Sequence, residues 1–177
     1  RVLVLNSPSN PTGMIYTAEE LTEIGNWAVA NDVLILADDI YGRLVYNGNE
    51  FTPISTLSEA IRNQTIIING VSKTYAMTGW RIGFAVGHPD IIKAMSKIVS
   101  QTTSNASAVS QYAAIEALTG DQTTIETMRQ AFEERLNTIF PLINEIPGFE
   151  AIKPQGAFYL FPKVSKAMQM KGFSDVT

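Results

Sequence analysis

The chain has 177 residues, 45% hydrophobic and 17% charged, which describes an ordinary globular protein able to bury a sizeable core. Its 13 basic and 17 acidic residues leave a net charge of −4, so composition gives no electrostatic reason to bind nucleic acid or an anionic membrane. There are no cysteines, which excludes disulfides and thiolate metal sites and fits a reducing cytosol, and no apolar run reaches membrane-spanning length.

Residues 2–5 (VLVL) read as a buried strand, ended by the turn-forming cluster NSPSNPTG at 6–13. Thr17 stands three residues before Glu20, a capping-box spacing. It predicts a helix to about Asn31 with Leu21, Ile24, Ala28 and Trp27 on the apolar side. Residues 33–37 read as a second strand stopped by Asp38-Asp39, and 65–68 as a third. Residues 82–86 read as a fourth, where Gly83 marks a close approach. Pro89 suits the first position of a helix that His88 precedes. Two more helical patterns span about 107–118 and 123–143. Beyond Pro147-Gly148 the pattern changes to two short predicted strands, 149–152 and 157–161, flanking Pro154-Gln155-Gly156.

Strands alternating with helices predict an α/β fold with a mostly parallel sheet over residues 1–146. The last long helix then leads into the beginning of a small α+β domain over 147–177. The chain opens on an apolar run without a methionine or signal-peptide pattern, and MKGFSDVT stops without a closing element, so both ends read as cut from a longer protein.

In open α/β sheets, ligands collect at the carboxyl ends of the strands. Asn10 follows the first predicted strand, Asp38 ends the second, Lys73 follows the third and Arg81 precedes the fourth. Four polar chemistries therefore converge where a ligand is expected. Lys73 also stands alone: in VSKTYAMTGWRIG (71–83) the next charge is Arg81, eight positions on. Taken singly, each has a structural reading: Asn10 as a turn residue, Asp38 as a cap, Lys73 as a solvated charge, Arg81 in a surface ion pair. His88, the only histidine, reads as a residue that caps or flanks its helix, Trp80 and Tyr75 as packing, and Met77 as core filler.

Four motifs go further: PSNPTG (8–13), ADDIYGRLVY (37–46), SKTYAMTGWRIGFAVG (72–87) and PQGAFYLFP (154–162). With these in this order, the chain resembles the fold-type-I, pyridoxal-phosphate-dependent aminotransferases of class I/II. The resemblance implies a three-layer α/β/α large domain over 1–146 and the start of the small domain after it. It implies that Lys73 bonds to the aldehyde of pyridoxal 5′-phosphate and carries protons; no carboxylate adjoins it in sequence, and desolvation favours the neutral amine this chemistry needs. It implies that Asp38 faces the pyridine nitrogen and keeps the ring protonated. Tyr41 and Asn10 would hydrogen-bond the cofactor's 3′-oxygen, and Arg81 would grip the phosphate with its planar fork.

The position three before the lysine, a serine in many members, is Gly70 here, with Ser72 as a substitute phosphate donor. Asp39 stands where the family often has glutamate. The NG-x-S-K form followed by AMTGWRIG resembles the prokaryotic aspartate or aromatic aminotransferase subgroup. The implied activity is transfer of an amino group between an amino acid and a 2-oxo acid, by a cytoplasmic homodimer with neither nucleic acid nor membrane as partner. A β-lyase or synthase of the same fold, or the effector domain of a transcription regulator, would share these residues. The family's upstream phosphate turn, ring-stacking aromatic and late substrate-carboxylate arginine have no counterpart here, Arg129 and Arg135 lying on the long predicted helix. The 177 residues alone are therefore expected to be inactive.

Overall fold

A computed structural model describes residues 1–174. Its sheet has four strands, β1 (Val2–Asn6), β2 (Leu34–Asp38), β3 (Thr65–Gly70) and β4 (Gly83–Val86), in the order β1-β2-β3-β4. The pairs β1–β2 and β2–β3 are parallel, and β4 runs antiparallel to β3. The difference follows from the connections. Helix α1 (Ala18–Ala30) carries the chain back between β1 and β2, as a parallel return requires. Between β3 and β4 lie only residues 71–82, with one 3₁₀ turn at Thr78–Trp80, and that short loop reverses the chain.

The capping box forms as its spacing predicts: Thr17 Oγ1 accepts from Glu20 N at 3.2 Å, and Glu20 Oε2 accepts from Thr17 N at 2.8 Å. Leu21, Gly25 and Ala28 then form the buried stripe of α1. That stripe, Leu5 of β1, and Ile35 and Ala37 of β2 make one core cluster with Ile54 and Ile61. Each large aliphatic side chain so enclosed contributes about 1.5–3 kcal/mol. Gly25 is needed for the close approach, since a Cβ there would lie 2.6 Å from Ile61 Cδ1. Trp27 was expected on this face, but it is 54% exposed. At 3.6 residues per turn its position lies about 120° around the helix from Leu21, outside the stripe that Leu21, Gly25 and Ala28 form.

Ile61 belongs to α2 (Glu59–Asn63), which sequence periodicity did not predict; five residues are too few to show a period. Ser58 caps it by accepting from Ile61 N at 3.2 Å. The later helices are α3 (Pro89–Thr102), α4 (Ala108–Thr119), α5 (Thr123–Glu145) and α6 (Ser165–Met170). His88 caps α3, its Nδ1 accepting from Asp90 N at 3.3 Å, and Pro89 occupies the first turn. Trp80, read as packing, is 43% exposed.

The two strands expected at 149–152 and 157–161 do not form; only single bridges join Glu150 to Lys163 and Val45 to Gly156. The backbone groups of this stretch are spent elsewhere. Gln155 N and Gly156 N both donate to Gly13 O at 2.9 Å, Tyr46 N donates to Gln155 O at 2.9 Å, and Ala157 N donates to Leu44 O at 2.9 Å. This stretch is thus bolted to the turn after β1 and to the segment after β2. A second core cluster sits under it, where Tyr41, Leu44, Tyr46 and Ala157 meet Leu136 of α5.

Candidate active site

The site forms at the carboxyl ends of β1, β2 and β3, where loops must carry the polar groups. In register, Asn6 ends β1 beside Asp38 at the end of β2. Asn6 Nδ2 donates to the Asp38 carbonyl at 3.2 Å, and Asn6 Oδ1 accepts from Asn10 N at 2.7 Å. One asparagine therefore ties the turn that holds Asn10 to the residue that ends β2. Asn6 was missed from sequence alone, where it only opens the turn cluster 6–13; the parallel register that sets it beside Asp38 spans 32 residues.

Asp38 is half-buried, and its Oδ1 accepts from Ile40 N at 3.3 Å. That contact turns the chain so that Tyr41 points inward, 3% exposed. Lys73, on the loop after β3, sends Nζ to 5.8 Å from the centre of the Tyr41 ring and 5.4 Å from that of Phe158. Burial raises the Tyr41 phenol above its ordinary range, a hydrogen bond to Tyr159 and that residue's charge add to the rise, and so does the charge of Asp38. Asp38 and Tyr41 of one motif and Lys73 of another thus share one neighbourhood. Tyr75 OH donates to Gln122 Oε1 at 3.1 Å, a packing role.

Gly70 and Gly83 face each other where β3 and β4 begin their loop. A Cβ on Gly70 would lie 2.7 Å from Ile82 O, so the serine common at this position elsewhere does not fit this backbone. The loop closes on itself: Thr78 Oγ1 donates to Ser72 O at 3.1 Å and Arg81 Nη1 donates to Thr78 O at 2.9 Å. Arg81 takes left-handed backbone angles, φ 55°, which its neighbours must impose on a non-glycine residue. Its side chain is exposed, and this contact leaves Nε and Nη2 as donors.

The turn opposite is equally constrained. Gly13 has φ +69°, and a Cβ on it would lie 2.6 Å from Pro154 Cβ and 2.8 Å from Gly156 O. The motifs at 8–13, 37–46 and 154–162 are therefore physically interlocked. Gln155 adds to this, its Oε1 accepting from Ile15 N at 2.9 Å and its Nε2 donating to Asn49 Oδ1 at 3.0 Å.

Asp39 carries the clearest electrostatic consequence. Burial pushes its carboxyl up to about 7, and the charge of neighbouring Asp38 adds to the rise. Between its ordinary value of 3.8 and about 7, folded Asp39 binds more proton than unfolded Asp39, so its contribution to stability is lost as pH rises across that window. Asp39→Asn removes the penalty. Denaturant titration of the full-length protein is expected to show the variant more stable than the parent at about pH 8 and equal to it below about pH 4. The same difference at both pH values would contradict this.

A family model described as aminotransferase class I and II matches residues 1–176. A protein of Streptococcus mutans described as asparagine–oxo-acid transaminase is 71% identical over 177 residues, all of this chain and 45% of the relative. An aspartate aminotransferase of Bacillus subtilis is 52% identical over 176 residues, 99% of this chain and 45% of the relative. The crystal structure of the aspartate aminotransferase from Rhizobium meliloti matches with a TM-score of 0.90 at 40% identity, over 94% of this chain and 42% of that one. The chain spans less than half the length of these relatives.

Proposed function

Because the chain belongs to the class I and II aminotransferase family, we propose that the full-length protein moves an amino group between an amino acid and a 2-oxo acid with pyridoxal 5′-phosphate. The observation that carries this reading is the meeting of an amine and a phenol beside a strand-ending carboxylate, with Lys73 Nζ 5.8 Å from the Tyr41 ring. The names of the similar proteins favour aspartate or asparagine as amino donor. A homodimer in the cytoplasm is part of the same proposal, on the strength of the family. So is the division into a large domain over 1–146 and a small one from 147 onward.

The donor set suits the cofactor group by group. An amine (Lys73) matches the aldehyde, a carboxylate (Asp38) the ring nitrogen, a phenol and a carboxamide (Tyr41, Asn10) the 3′-oxygen, and a guanidinium (Arg81) the phosphate. When bound, the cofactor supplies an electron sink for the negative charge left at the substrate Cα. Asp38 holds a proton on the ring nitrogen. Lys73 would take the proton from the substrate Cα and later give it up again, acting as base and then as acid. Arg81, and Ser72 beside the lysine, anchor the phosphate so that the ring cannot swing during proton transfer.

The test is amino transfer itself. Full-length protein loaded with pyridoxal phosphate and given aspartate or asparagine with 2-oxoglutarate is expected to form glutamate and the matching 2-oxo acid. Given cystathionine, whose Cβ carries a thiolate leaving group, instead of these donors, release of the thiol, ammonia and pyruvate without glutamate would identify a lyase. No product from these donors or from aromatic amino acids would overturn the proposal.

A further inference from the structure

The hydroxyls of Tyr41 and Tyr159 are hydrogen-bonded to each other across 118 residues of sequence. Their rings meet nearly edge-on, with centres 5.7 Å apart. Tyr159 comes from the stretch after Pro154, and that stretch is held on both sides. Gly156 N donates to Gly13 O, Ala157 N to Leu44 O, and the Tyr46 hydroxyl to the Ala157 carbonyl. Phe158 stands edge-on to Tyr41 at 5.4 Å and stacks on Phe132 of α5 at 5.5 Å. Tyr159 therefore has little freedom to leave Tyr41, and nothing in the transfer chemistry described above uses it.

A phenol has one proton to give and lone pairs to accept with. If Tyr41 gave its proton to Tyr159, it would have none for the cofactor's 3′-oxygen. We propose that Tyr159 is a positioning residue: its hydroxyl donates to Tyr41 Oη, which turns the Tyr41 proton toward the 3′-oxygen. This rests on the aminotransferase reading, in which Tyr41 faces that oxygen. Accepting one hydrogen bond polarises the Tyr41 O–H and strengthens the bond it donates.

The charged and titratable groups around Tyr41 are few. Asp38 and Asp39 come from the end of β2, Lys73 from the loop after β3, and Tyr159 from the stretch after Pro154. From α5, the apolar Met128, Phe132, Leu136 and Phe140 pack on this cluster, while the paired Arg129 and Glu133 reach the segment after Tyr41, Arg129 Nη1 donating to Val45 O at 3.2 Å and Glu133 Oε1 accepting from Asn47 N at 2.6 Å, and Arg135 lies over the Phe132 ring at 5.3 Å.

The experiment reads the bound cofactor's visible absorbance against pH in full-length protein loaded with pyridoxal phosphate. Two donors on the 3′-oxygen favour its anionic form, so weakening one raises the midpoint of the colour change. Tyr159→Phe is expected to raise it by about 0.5–1 unit, and Tyr41→Phe by more. The double variant should match Tyr41→Phe alone, because Tyr159 acts through Tyr41. Placing 3-fluorotyrosine at position 159, a stronger donor of nearly the same shape, should lower the midpoint and serves if Tyr159→Phe folds poorly. An unmoved midpoint in Tyr159→Phe while Tyr41→Phe shifts, or shifts that simply add, would overturn the positioning role and leave the aminotransferase reading standing. If the parent takes up no coloured cofactor, the aminotransferase reading itself fails, and this role with it.

Discussion

Lys73→Ala is expected to leave the fold of the full-length protein intact and to abolish amino transfer. The fold should survive because the Lys73 side chain belongs to neither core cluster and forms no ion pair among the described residues. What alanine gives up structurally is the approach of Nζ to the Tyr41 and Phe158 rings, a contact of about 0.5–1 kcal/mol. The loop keeps its backbone bonds, Tyr75 N to Val71 O and Ala76 N to Lys73 O, each at 3.2 Å. The chemical loss is of another order. A positioned proton carrier contributes about 100- to 10,000-fold by itself, and the variant also loses covalent attachment to the cofactor. Borohydride treatment followed by peptide mass mapping should find the cofactor fixed to Lys73 in the parent and nowhere in the variant. Substantial turnover by the variant with cofactor in solution would remove Lys73 from the mechanism.

What was legible in the sequence was what is local. Periodicity and punctuation locate β1, β2, β3 and α1 because strand ends, caps and glycine turns write themselves into neighbouring residues, as Thr17 and Glu20 do. The strand ends in turn locate Asp38 and Lys73. What was not legible depends on distant partners. Residues 157–161 are an apolar run that reads as a strand, yet Ala157 N donates to Leu44 O, Gln155 N and Gly156 N just before it donate to Gly13 O, and no local pattern records that. The same distance hid Tyr159, whose partner is 118 positions away. Trp27 shows the opposite failure, since a large apolar side chain signals a core only where its position faces one, and Trp27 lies about 120° around the helix from Leu21 of the buried stripe.

Asp38→Asn separates chemistry from anchoring. The amide is nearly isosteric, and its oxygen can still accept from Ile40 N, as Asp38 Oδ1 does at 3.3 Å. The main-chain link from Asn6 Nδ2 to the Asp38 carbonyl is untouched, so β1 and β2 should stay in register. What disappears is the negative charge. One structural consequence is checkable without cofactor: the Asp39 carboxyl, raised chiefly by burial and secondarily by Asp38, should titrate lower but not return to 3.8. In the loaded protein, a neutral amide no longer holds the proton on the ring nitrogen, and the developing Cα charge loses its sink. The interaction matters most in the transition state, so kcat should fall much further than cofactor affinity. Losing one fixed electrostatic group aimed at developing charge costs about 100- to 1,000-fold in rate. Cofactor affinity, shared with Lys73, Arg81, Tyr41 and Asn10, should change far less. Weak cofactor binding with turnover preserved at saturating pyridoxal phosphate would reduce Asp38 to an anchor.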